Sequence, residues 1–148
     1  MTSTIFINSI DFSIPGEPKG KVNMKPIRMG NHLSLCNTRH NENYMSLVQD
    51  AYFKTKAEKI ADNCFIGLFI TAYFQIPKSV SKKKRDKMLC GNIRPTKKPD
   101  CDNISKVICD ALNGIAFRDD SMIVELTVEK LYSELPRVEV IIRSCENE

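Results

Sequence analysis

Hydrophobic and polar positions along the chain repeat with two periods, and the switches between them mark the elements. Ile5, Phe6, Ile7, Ile10 and Phe12 fill residues 4–14 with β-branched and aromatic side chains, and Pro15-Gly16 closes the run, which predicts a first strand. Residues 18–41 show no period; they read as a long basic loop, of a length that usually serves a function. From Asn43 to Ile60 the apolar positions Tyr44, Leu47, Val48, Ala51 and Tyr52 recur at helical spacing, with Gln49, Asp50, Lys54 and Glu58 on other faces. The run from Cys64 to Ile76 is apolar on both faces, as a central strand must be.

After Pro77 a charged stretch to Lys98 reads as a flexible surface connection. Ile104, Val107, Ile108, Ala111 and Leu112 then fall on one helical stripe that ends at Asn113-Gly114. Met122, Val124, Leu126 and Val128 alternate with polar or smaller partners, and Val138, Val140 and Ile142 alternate again beyond a turn near residues 133–136. The pair predicts a C-terminal hairpin. The expected class is α+β: one domain over residues 1–148, with a single mixed sheet in the order β-α-β-α-β-β and helices packed on it.

Composition supports a globule rather than a disordered chain, with 42% hydrophobic and 27% charged residues. The apolar run from Cys64 to Phe74 is too short to span a bilayer, and MTSTIFINSIDF has no basic n-region or cleavage site, so a cytoplasmic protein with no membrane partner is expected. Six scattered cysteines include no CxxC pair and no zinc-site spacing, and free thiols are expected.

Net charge is +4, but it is unevenly placed. Residues 78–98 hold nine basic side chains (Lys78, Lys82, Lys83, Lys84, Arg85, Lys87, Arg94, Lys97 and Lys98) against Asp86 alone. Residues 18–41 add Lys19, Lys21, Lys25, Arg28 and Arg39 with no acid. Two such segments suit a polyanion, as well as ordinary solvated surface. The residues expected to contact DNA are Lys21, Lys25, Arg28, Lys82, Lys83, Lys84, Arg85, Lys87, Arg94, Lys97 and Lys98.

The acids concentrate in KKPDCDNISKVICDALNGIAFRDDSMI. Asp100 and Asp102 are two apart at the mouth of the predicted helix, so an extended backbone would send both carboxylates to one side. Asp119 and Asp120 precede the next strand, whose return could bring one of them near the first pair. Converging carboxylates suit Mg²⁺, a hard cation that keeps several waters and bridges to phosphate, with Mn²⁺ as a substitute. Lys106, one helical turn after Asp102, can meet a phosphate oxygen or simply pair with Asp102 or Asp110. Helix capping by Asp102 and turn chemistry at Asp100, Asp119 and Asp120 account for the same acids without any metal.

PDCDNISKVICDALNG followed by RDDSMIVELTVEK resembles the RusA family of Holliday junction resolvases. The match runs over residues 99–130; the preceding IPKSVSKKKRDKMLCGNIRPTKKPD is also similar to phage and prophage members. The resemblance implies that Asp100, Asp102 and Asp120 bind the metal, with Asp119 a second candidate, and that Lys106 is required for cleavage. It implies a homodimeric, magnesium-dependent endodeoxyribonuclease that makes paired nicks in four-way junctions during DNA recombination and repair. Cys101, where an aliphatic residue is common, and a basic loop at residues 19–28 without a compact run of arginines depart from the family pattern. The competing expectation is a branched-DNA-binding protein with no catalysis.

Overall fold

The computed structural model describes residues 5–148. In chain order the elements are β1 (Asn8–Pro15), β2 (Lys25–Met29), β3 (His32–Cys36), α1 (Arg39–Phe53), β4 (Cys64–Gln75), α2 (Lys82–Leu89), α3 (Cys101–Leu112), a 3-10 turn (Asp120–Met122), β5 (Ile123–Ser133) and β6 (Arg137–Glu146). The class is the mixed α+β expected. The first strand begins at Asn8 rather than Thr4, which lies outside the described residues.

The main sheet has the order β1-β6-β4-β5, and β4 runs parallel to β5 but antiparallel to β6. The most apolar strand thus takes the middle, where both edges are paired. Its side chains at Ile66, Leu68, Ile70, Ala72 and Phe74 are all at most 1% exposed. Together with Ile14, Val138, Val140 and Ile142 they meet α1 and α3 in a core. Fully burying each of these side chains other than Ala72 stabilises the fold by about 1.5–3 kcal/mol.

The C-terminal hairpin expected from alternation is not formed. β5 and β6 pair with opposite edges of β4, and the link at residues 134–136 passes the end of that strand. In β5 the alternation does not mark a buried face either, since Val124 and Leu126 stand 63% and 49% exposed, and alternation carries no information about which strand lies alongside.

Two regions read as loops are ordered elements. Residues 25–36 form the β2–β3 ribbon, turning at Gly30 with φ 62°. Within the basic connection, the Ser81 hydroxyl accepts from the Lys84 N–H at 3.3 Å and opens α2, which buries Met88 at 4% exposure. The cap, the buried Met88 and the Arg85–Glu134 pair together hold this lysine-rich helix. Helix α1 is shorter than its pattern: the Thr55 hydroxyl donates to the Tyr52 carbonyl at 2.7 Å and accepts from the Ala57 N–H at 3.2 Å, and Lys56 turns to φ 57°. All six cysteines are free thiols. No helix among the described residues is long and apolar enough to cross a membrane.

Candidate active site

Helix α3 carries its acids at its mouth because its apolar stripe, Ile104, Val107, Ile108, Ala111 and Leu112, turns into the core. Asp100 is the N-cap, with extended backbone at φ −74° and ψ 155°, and its carbonyl accepts from the Ile104 N–H at 3.0 Å. Its carboxylate makes no capping bond. Capping therefore does not account for Asp100, whose oxygens are free for another ligand. Asp102 lies in the first turn with its side chain 68% exposed, 3.8 Å from the Lys106 ammonium, which is itself 62% exposed. That pair is long and solvated, so it contributes at most about 0.5 kcal/mol and leaves both groups able to turn elsewhere.

The second acidic pair divides its labour. Asp119 is the cap of the 3-10 turn and accepts from the Ser121 N–H at 3.2 Å. Ser121, through its hydroxyl and then its backbone N–H, holds the Asp119 carboxyl below the usual carboxylate range. Turn chemistry explains Asp119; Asp120, exposed and next in the chain, is not the turn's cap. Asp120 lies within electrostatic reach of Cys109, whose thiol burial first, then Asp120 and Asp110, push up to about 11. Asp100 and Asp102 share the N-terminal end of the helix, and Asp120 opens the 3-10 turn that precedes β5. Among the described residues no three His, Cys, Asp or Glu side chains stand close enough together to hold a metal.

Asp100 opens onto a cleft of about 650 Å³ whose walls include Lys19, Gly20, His40, Lys97, Lys98 and Asn103. The near wall, residues 17–22, comes almost wholly from the aperiodic segment expected to be a long basic loop that touches DNA. Its glycine is wedged: a Cβ on Gly20 would stand 2.7 Å from Pro99 Cβ and 3.1 Å from Asn103 Cβ. Next to it the Lys21 N–H donates to the Asn103 carbonyl at 2.9 Å. Asn41, fully buried, holds the next residue from α1; its amide accepts from the Val22 N–H and donates to the Val22 carbonyl, both at 3.0 Å. A polar asparagine at a buried helical position was the available signal, since such a group must find partners.

The basic residues fall into three sets. Lys82, Lys83, Lys84 and Lys87 are exposed on α2, and Lys97 and Lys98 are exposed at the cleft. Arg85 pairs with Glu134, and Arg94 with Glu129 at 3.0 Å, so both reach back to β5 or just beyond it. Lys21 is bound to Asp110. Lys25 and Arg28 stand exposed on the β2–β3 ribbon, where the Arg28 Nε–H donates to the Gly30 carbonyl at 3.3 Å. Lys97 and Lys130 lie over the Phe74 ring, 5.7 and 5.2 Å from its centre.

Comparison with known proteins decides the ancestry of this arrangement. The family described as Endodeoxyribonuclease RusA matches residues 15–143. The chain belongs to the RusA family. A Bacillus subtilis (strain 168) protein described as "Uncharacterized protein YqaN" is 38% identical over 130 residues, which is 86% of this chain and 87% of that protein. The RusA match takes in the strap at residues 17–22 and the acids of α3 alike, so the cleft is built wholly from family sequence.

Proposed function

We propose that this protein is a magnesium-dependent endonuclease that resolves four-way DNA junctions by paired nicks, acting as a homodimer in recombination and repair in the cytoplasm. The observation that carries the reading is the Asp100 carboxylate, which caps nothing and lines a cleft walled by lysines, two residues before the exposed Asp102. Free carboxylate oxygens are the donor type Mg²⁺ takes, and two of them leave coordination positions for water and phosphate. Asp100 and Asp102 would hold the ion; Asp120, which does not stand with them as a ready-made group, would close on it as the third ligand when metal binds, with Asp119 kept for its turn. A bound magnesium supplies polarisation of the scissile phosphate and a lowered pKa for the attacking water.

The protein's own groups do the rest. The N-terminus of α3 directs unpaired backbone N–H groups toward an approaching phosphate. Lys106 stands one turn behind Asp102, and its ammonium can turn to a non-bridging oxygen as negative charge develops there. Lys97 and Lys98 line the cleft beside Asp100 and attract the polyanion to it. A two-fold assembly suits a substrate with pseudo-two-fold symmetry and two strands to cut.

One observation favours a second reading, a branched-DNA-binding protein without catalysis: no metal-holding group of three side chains is assembled among the described residues. The two readings separate on Asp102→Asn. The nuclease reading predicts that this protein binds a four-way junction at wild-type affinity in EDTA and cuts it at least a hundredfold more slowly in magnesium. Undiminished cutting would remove Asp102 from the site.

A further inference from the structure

The two lysines of residues 17–22 divide into one that is free and one that is spent. Lys21 contributes its backbone N–H to Asn103 and its ammonium to Asp110, two attachments to α3 from one residue, and its side chain is 19% exposed. Beyond it Asn41 bonds both the N–H and the carbonyl of Val22, as a neighbouring strand would. Before it the Glu17 carboxylate accepts from the Gln75 N–H at 2.9 Å and ties the loop to the end of β4. Gly20 is pressed onto Pro99 and Asn103. Between these fastenings Lys19 is exposed and lines the cleft that Asp100 also lines.

We propose that residues 17–22 are a fastened strap whose working side chain is Lys19, a grip for a backbone phosphate of DNA across the cleft from Asp100, while Lys21 is a fastener that touches no DNA. The inference rests on the nuclease reading and deepens it, because it names where the strand is held. A strap fixed to β4, α1 and α3 loses little entropy when DNA arrives, which is what positioning a phosphate beside a reactive group requires. Lys21 cannot serve the same end without abandoning Asp110, which would leave a half-buried carboxylate unpaired at 31% exposure.

The test is salt-dependent binding of the full chain to a labelled four-way junction in EDTA, with wild type, Lys19→Met, Lys19→Arg, Lys21→Met, Asp110→Asn and the Lys21→Met/Asp110→Asn double variant. Each phosphate contact contributes about 0.9 to the slope of log K against log salt, so its loss weakens binding roughly tenfold near 0.1 M salt. Lys19→Met is expected to lower the slope by about one with an unchanged melting temperature, and Lys19→Arg to restore it. Lys21→Met is expected to lower the melting temperature and keep the wild-type slope, and Asp110→Asn to absorb much of the stability loss in the double variant. A wild-type slope for Lys19→Met overturns the proposal, as does a slope reduced by one for a fully stable Lys21→Met. If the wild-type protein binds neither junction nor linear duplex, the nuclease reading falls and takes the strap with it.

Discussion

Gly20→Ala isolates the packing of the strap on α3. The Gly20 backbone is outside the left-handed region, so alanine meets no conformational penalty there and only the contact matters. Carbon atoms pack at about 3.5–4.0 Å, whereas the new Cβ would stand 2.7 Å from Pro99 Cβ and 3.1 Å from Asn103 Cβ. Both neighbours are short side chains anchored at the start of the helix, so the strap must lift by about 1 Å. Overpacking of this kind costs about 1–3 kcal/mol, and losing the bond from the Lys21 N–H to Asn103 adds about 1 kcal/mol. The smaller unfolded ensemble of alanine offsets about 0.4–1 kcal/mol. The net is about 2 kcal/mol, or roughly 4–8 °C in melting temperature for a chain of this size. Gly91→Ala is the control, since Gly91 has φ 81° and meets only Leu131 Cδ2 at 3.9 Å. It is expected to lose about 1–2 kcal/mol through backbone strain and to keep its cleavage rate. Thermal melts in EDTA and junction cleavage in magnesium give both quantities. A Gly20→Ala protein that melts and cuts like wild type would refute the packing of the strap against α3.

Three further outcomes follow from the same geometry. Asp100→Asn is expected to leave metal-free stability within about 0.5 kcal/mol of wild type or raise it, since no cap is lost and a like charge beside Asp102 is removed; a drop of several degrees in EDTA would return Asp100 to a capping role. Asp119→Ala removes the cap of the 3-10 turn, so stability should fall at neutral pH. Its carboxyl is held below the usual range, so the stability it contributes is present above the unfolded carboxylate pKa and is lost as pH falls through the lower folded value. The wild-type and variant melting curves should therefore converge in acid, and a constant gap from pH 7 to pH 2 would contradict the assignment. The Cys109 thiol, raised to about 11 mainly by burial, should resist alkylation at pH 8 while exposed Cys90 and Cys101 react. Asp120→Asn should speed Cys109 labelling; an unchanged rate, read by mass spectrometry, would put Asp120 out of reach of α3.

Elements whose period closes within themselves were legible in the sequence. The stripe of Ile104, Val107, Ile108, Ala111 and Leu112 gave α3 its extent and buried face, and two-sided apolarity placed β4 in the middle of the sheet. What depended on distant partners was not legible. Nothing local in Ile123–Ser133 or Arg137–Glu146 reveals that β4 lies between them. The lysines of α2 hid a capped helix whose only buried side chain is Met88. At the site, the spacing of Asp100 and Asp102 was readable from the chain, but not which of two adjacent aspartates serves the turn, because that depends on the orientation of the Ser121 N–H. The strap escaped for the same reason: a glycine pressed onto a proline far along the chain leaves no period.

The most direct measurement is cleavage of an end-labelled four-way junction beside a linear duplex of the same arm sequence, in magnesium and in EDTA. The account predicts symmetric nicks near the branch point in magnesium, none in EDTA, and an intact duplex in both. Junction bound tightly in either buffer but never cut would contradict it, leaving a junction-binding protein whose free Asp100 carboxylate serves no chemistry.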